Sequence, residues 1–258
     1  MFVGPPQTSL SQWYTTPLGA HLLAAEQAYF DRELADVFGF NAFQLGLPEF
    51  EFLRANRMPL RCVAAGEGPV AMRADLRALP IQTASADLVV LPHVLEFSAN
   101  PHQVLREVSR ILMPEGHIVL SGFNPWSLWG LRRMGTWGKG RQMYPWRGEF
   151  IHLPRIKDWM ALLGIELVGG RMCAYAPPIM NHKWFQRFSF MESAGDRWWP
   201  FAGGVYFLHG VKRVQGLRII LPKWRAAEAR RKALAAVPQK TGASDDALAA
   251  RSNLDNQA

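Results

Sequence analysis

The sequence predicts an α/β domain built on a mostly parallel, twisted sheet, and three observations carry the prediction. The run "ADLVVLPH" is apolar almost throughout, without the alternation of a half-solvated strand, as expected for a strand covered on both faces. It is followed by a well-signalled helix, with Asn100 able to cap, Pro101 at the first helical position and Val104, Leu105, Val108, Ile111 and Leu112 on one face. "MPEGH" ends that helix and "IVLSGF" is again a strand, so residues 87–123 form a βαβ unit with a right-handed crossover.

The other elements follow in chain order. The opening stretch "MFVGPPQTSLSQWYTTPLG" has no Lys or Arg and no continuous apolar segment, which is not the pattern of a secretory signal. Thr16 can cap a helix with Pro17 in its first turn; Leu22, Leu23, Phe30, Leu34, Val37 and Phe38 recur at helical spacing, and Gly39 supplies the stop. Glu26 lies on or near the apolar face of this helix and reads as a rim residue reaching solvent. Residues 40–47, 60–66 and 70–76 read as three short strands, with "EFEFLRAN" making about two helical turns between the first two. Beyond the βαβ unit, "LPRIKDWMALLG" reads as a helix, and "IELVGGRMC" and "GGVYFLHGVKRV" as strands, the last two joined by an aromatic-rich connection. The organisation is therefore an N-terminal helical segment (1–39), an α/β domain (40–221) with an insertion at 124–150, and a basic helix with a polar tail (222–258).

A chain of 258 residues can bury a full core, and its 49% hydrophobic content places it in the globular class. The net charge of +8 attracts anionic partners: nucleic acid, a membrane surface or a phosphorylated substrate. Only Cys62 and Cys173 are present, in no metal or disulfide spacing, which suits a reducing cytosol. No run is long enough to cross a bilayer as a helix.

The buried strand ends in His93, with Glu96 three residues later. Ligands of open parallel sheets bind beyond the carboxyl ends of the strands, so a histidine there can bond a ligand, shuttle a proton, bind metal, or fill the strand end against backbone groups. His93 and Glu96 lack the second histidine of the zinc-binding HxxEH pattern, no metal site is expected, and GxSxG is absent.

The wider segment from Asp75 to Pro125 carries a set of landmarks: Asp75 with Leu79 and Pro80, Ser85 and Asp87 opening the strand, His93 and Glu96 after it, Leu105, Arg106 and Glu107 in the helix, and Pro114 and Gly116 before the next strand. In order and spacing these residues resemble the class I S-adenosyl-L-methionine-dependent methyltransferases, type 11 branch. The resemblance implies a Rossmann-like sheet whose last strand inserts antiparallel between the fifth and the sixth. It implies S-adenosyl-L-methionine as cofactor, with Asp75 and the backbone of Leu76 by the adenine and His93 near the reacting methyl as a candidate catalytic base. The glycine-rich turn of the family is here "LGLPEFEF": Gly46 stands, and Leu47, Pro48 and Glu49 replace the glycine cluster. Only one helix fits between Gly46 and Asp75. Residues 66–69 then join the second and third strands as a hairpin or short loop, and the ribose-holding acid would be Glu67. Two readings stay open: a methyltransferase binding its cofactor through a remodelled turn, which is favoured, or a non-catalytic protein of the same fold serving as a binding module.

The insertion interleaves Trp126, Trp129, Trp137 and Trp146 with Arg132, Arg133, Lys139, Arg141 and Arg147. It reads either as a loop packed on the core or as a lid, with Asn124, Trp126 and Trp129 as substrate-binding candidates for a small-molecule or lipid-like acceptor. Contact with an anionic membrane would suit tryptophans among headgroups and arginines on them. Nucleic acid is the least favoured partner, since no recognised module surrounds these residues.

Overall fold

A computed structural model of the chain describes residues 9–68, 70–136, 138–178, 191, 195, 197–199 and 201–214. The strands are β1 (Asn41–Leu45), β2 (Leu60–Ala65), β3 (Met72–Arg73), β4 (Ala86–Pro92), β5 (Leu112–Phe123), β6 (Ile165–Cys173) and β7 (Val205–Lys212). They form one sheet in the order β3-β2-β1-β4-β5-β7-β6, parallel from β3 to β5, with β7 antiparallel to both neighbours. This is the Rossmann-like methyltransferase sheet that the resemblance implied, inserted last strand included.

The reading of β4 as a doubly covered strand is explained by the side chains it sends each way. Val89 and Leu91 enter a core beneath α3 (Pro101–Ile111) and α5 (Leu153–Leu162), while Leu88 and Val90 enter a second core beneath α1 (Leu10–Tyr14) and α2 (Pro17–Leu34). A strand alternates faces at every residue, so helices on both sides require apolar residues at successive positions. The N-terminal helices thus share a core with the sheet.

Local chemistry fixes the elements. The Asn100 side chain accepts from the Gln103 amide at 3.2 Å and Pro101 occupies the first turn of α3. The Gln103 side-chain amide donates to the Arg77 carbonyl at 3.3 Å. Asp87 accepts from the amides of Phe40 and Asn41, both at 2.9 Å, and so ties the start of β1 to β4.

The structure departs from the sequence reading in five places. A short helix, α1, precedes the expected one, which runs only to Leu34 rather than to Phe38. The stretch "EFEFLRAN" forms turns instead of helix. The buried Gln44 side chain explains this: it donates to the carbonyls of Gly46, Leu47 and Phe50 and accepts from the Phe52 amide, so it satisfies the turn's backbone before a helix can. The third strand shrinks to two residues and pairs parallel with β2, so the hairpin alternative is excluded. β5 begins at Leu112, five residues before its regular pairing at His117, across an irregularity. The insertion contains α4 (Leu128–Met134) and a short 3-10 turn, where the sequence showed no sustained period. The predicted basic helix and tail, Trp137, and most of the aromatic connection lie outside the described residues.

Candidate functional site

The carboxyl ends of β1 to β4 open onto a cleft of about 790 Å³, within the range of small-molecule sites. Gly46 ends β1 at φ +82°, a left-handed conformation that glycine adopts without strain; a Cβ there would stand 2.9 Å from Val94 Cγ2. Leu47 follows, also left-handed at φ +45°. Gly66 closes β2, and Asp75, Leu76 and Arg77 follow β3 along the wall. Phe97, Ser98 and Ala99 line the side toward α3; Leu10 of α1 and Tyr144 of the insertion complete the rim.

His93 borders this cleft, but its ring is sealed from solvent. The residue takes φ +51°, which turns the chain off β4 at a cost of roughly 1–2 kcal/mol for a residue with a Cβ. Nε2 lies 2.6 Å from Glu26 Oε1, and Nδ1 2.5 Å from Glu96 Oε1. The Tyr14 hydroxyl donates to the other oxygen of Glu26 at 2.7 Å, and the Phe123 amide to Glu96 Oε1 at 3.2 Å. Burial disfavours the charged ring, but the two carboxylates outweigh it and push the His93 pKa up to about 10. Burial, and then Glu26, raise the Tyr14 phenol well above its ordinary value.

Two expectations change here. Glu26 is fully buried rather than on the rim, because it is the partner of both His93 and Tyr14. An imidazolium with both nitrogens bonded to carboxylates has no lone pair for an incoming proton, so the ring is not the free base that the sequence suggested. It joins α1, α2, β4 and the turn after β4 into one charged, buried knot.

Asp75 and Leu76 do line the cleft, as does Gly46. The Asp75 carboxylate, half-exposed, accepts from Arg77 Nε at 3.0 Å and Nη2 at 2.8 Å, and Arg77 holds its pKa down at about 2. Glu67 is exposed and is not in the cleft wall, where arginines 73 and 77 stand instead. The three substrate-binding candidates are not brought together at this cleft. Asn124 is buried, accepting from the Trp126 amide and donating to the carbonyls of Phe201 and Gly203, so it staples the chain after β5 to the approach of β7. Trp129 is buried between Trp13 and Phe123 and bonds the Ala176 carbonyl, while Trp126 is 70% exposed. Among the described residues of the insertion, Tyr144 reaches the cleft, packed 5.0 Å from Phe97. Nothing in its spacing distinguished it from the tryptophans around it. For Glu26 the signal was an acid amid an apolar stripe.

A family model described as a methyltransferase domain, type 11, matches residues 27–120. The chain is 30% identical over 167 residues to the uncharacterized protein YafS of Escherichia coli strain K12, covering 63% of this chain and 69% of that protein. Among solved structures, an S-adenosylmethionine-dependent methyltransferase from Thermotoga maritima superposes with a TM-score of 0.57 at 12% identity, over 79% of this chain and 94% of that one. Geranyl diphosphate C-methyltransferase from Streptomyces coelicolor A3(2) does so with a TM-score of 0.50 at 13% identity, over 75% and 80%. At such identities the structural likeness speaks for the fold.

Proposed function

This chain belongs to the class I S-adenosylmethionine-dependent methyltransferases, type 11 branch, and from that premise we propose that the cleft at the carboxyl edge of the sheet binds S-adenosyl-L-methionine and that the protein methylates a small-molecule or lipid-like acceptor. The observation that carries the reading is the convergence of Gly46, Asp75, Leu76 and His93 on one cleft of suitable volume. The residues fit the group: glycine leaves β1 without a Cβ in the narrow turn, an ionised Asp75 offers acceptor oxygens to an adenine amine, and Leu76 offers backbone and an apolar wall.

When bound, the cofactor supplies a methyl group already activated by its sulfonium, so alignment is the chief task left to the protein. Glu26, His93 and Glu96 serve that task by fixing the strand end beside the cleft. No proton transfer is assigned to His93. Trp126, Leu131, Met134 and Phe201 are large apolar side chains left in solvent, which supports an apolar or lipid-borne acceptor and contact with an anionic membrane surface.

Two observations favour the binding-module reading instead: arginines 73 and 77 stand in the cleft where a ribose-holding acid was expected, and no helix joins β1 to β2. Thermal unfolding with millimolar S-adenosylhomocysteine separates the two. Binding to the folded state alone raises the melting temperature. An unchanged melting temperature would leave the module reading standing.

A further inference from the structure

A second cavity of about 780 Å³ adjoins the first, and Ser98 and Ala99 line both. Among the described residues its wall carries three guanidinium groups, those of Arg133, Arg147 and Arg155, against one carboxylate, that of Glu149. We propose that this pocket is an anion subsite for the methyl acceptor, which is accordingly a phosphorylated molecule. The proposal rests on the cofactor reading above and adds the class of the acceptor.

Aromatic rings help to hold the cations in place. The Arg133 guanidinium lies 5.2 Å from the Phe150 ring while its Nε donates to the Gly148 carbonyl at 2.8 Å. Arg155 lies 5.1 Å from Trp159, and Arg147 5.9 Å from Tyr144, the residue that reaches into the cofactor cleft. Guanidinium groups seated on rings lose less freedom on binding and present planar forks that match phosphate oxygens. Two helices also begin on this wall: Asn100 and Pro101 open α3, and His152 precedes α5. Their positive ends add to the same field. Concavity separates this site from an ordinary basic surface, because groups around a pocket converge on one ligand while those on a convex face diverge. A phosphate held there would place the rest of the acceptor toward Ser98 and Ala99, the shared wall, and so toward the cofactor.

The test is a calorimetric titration of the full chain with inorganic pyrophosphate, run without adenosyl ligand, beside a separate titration with S-adenosylhomocysteine. One saturable pyrophosphate site is expected, with Kd raised about tenfold in Arg155→Gln and again in the double variant Arg133→Gln/Arg155→Gln. Exposed Arg147→Gln provides a second reading should the double variant melt early, and Arg54→Gln, outside this wall, should bind as wild type. Absence of a saturable site, or equal weakening by Arg54→Gln, would overturn the proposal. Pyrophosphate binding without S-adenosylhomocysteine binding would sink the cofactor reading and not the pocket; the reverse would sink the pocket alone. Displacement of pyrophosphate by glycerol 3-phosphate supports a soluble acceptor, and displacement by phosphatidic acid vesicles supports a lipid headgroup. Displacement by a single-stranded RNA oligonucleotide and by neither of these would reject a phosphorylated small molecule or lipid.

Discussion

Replacing Glu26 by alanine removes the acceptor of two buried donors at once, the Tyr14 hydroxyl at 2.7 Å and the His93 Nε2 at 2.6 Å. Each orphaned buried donor costs about 1–3 kcal/mol, and more when charged, which agrees with the roughly 3–5 kcal/mol lost when one partner of a buried ion pair is deleted. Folding stability totals only about 5–15 kcal/mol, so this is a large share. In a domain of this size it corresponds to a fall in Tm of roughly 6–20 °C. The control is Asp31→Ala on the same helix, whose partly exposed pair with Arg54 at 2.5 Å is worth less than about 1 kcal/mol. Urea unfolding of wild type and both variants, followed by far-UV circular dichroism, gives the comparison. Equal losses in Glu26→Ala and Asp31→Ala would refute the assignment of a buried charged knot.

The same knot sets a pH dependence. The His93 pKa is raised in the folded state from about 6.5 to about 10, so its contribution is complete below about 6.5 and is lost as pH rises through about 10. Stability measured by urea unfolding should fall across that window, and His93→Gln should flatten the slope; a slope unchanged in the variant would assign it elsewhere. Gln44→Leu removes four side-chain bonds that shape the turn after β1 and should cost about 2–4 kcal/mol while weakening S-adenosylhomocysteine binding. Loss of stability with binding untouched would separate that turn from the site. Anionic vesicles should bind the protein at low salt and release it at high salt, with a blue shift of tryptophan fluorescence; binding indifferent to salt would remove electrostatics from the account.

Features written in local chemistry were legible in the sequence. Asn100 and Pro101 announce α3, the unbroken apolar run announces β4, and Gly46, Asp75, Leu76 and His93 do border one cleft. What was not legible depends on partners distant in the chain. The burial of Glu26 is set by His93, 67 residues away, and the loss of helix after β1 is set by where the Gln44 side chain turns. Asn124 was a substrate-binding candidate as part of a lid, yet its amide is committed to the carbonyls of Phe201 and Gly203. Five residues of α1 carry no period to read, although Ser9 caps them as the rules would have it. Charge was legible in total and not in place: three arginines gather in one pocket only because the insertion returns beside α3 and α5.

The central claim, that the cleft at Gly46 holds the adenosyl cofactor, is tested most directly by calorimetric titration of the wild type and of Gly46→Val with S-adenosylhomocysteine. A side chain at position 46 would have to enter a turn at φ +82° with Val94 Cγ2 only 2.9 Å from its Cβ. The account predicts one site per chain in the wild type and loss of that site in a Gly46→Val variant that still unfolds cooperatively. No binding heat in the wild type at millimolar ligand, or an unchanged Kd in the variant, would contradict it.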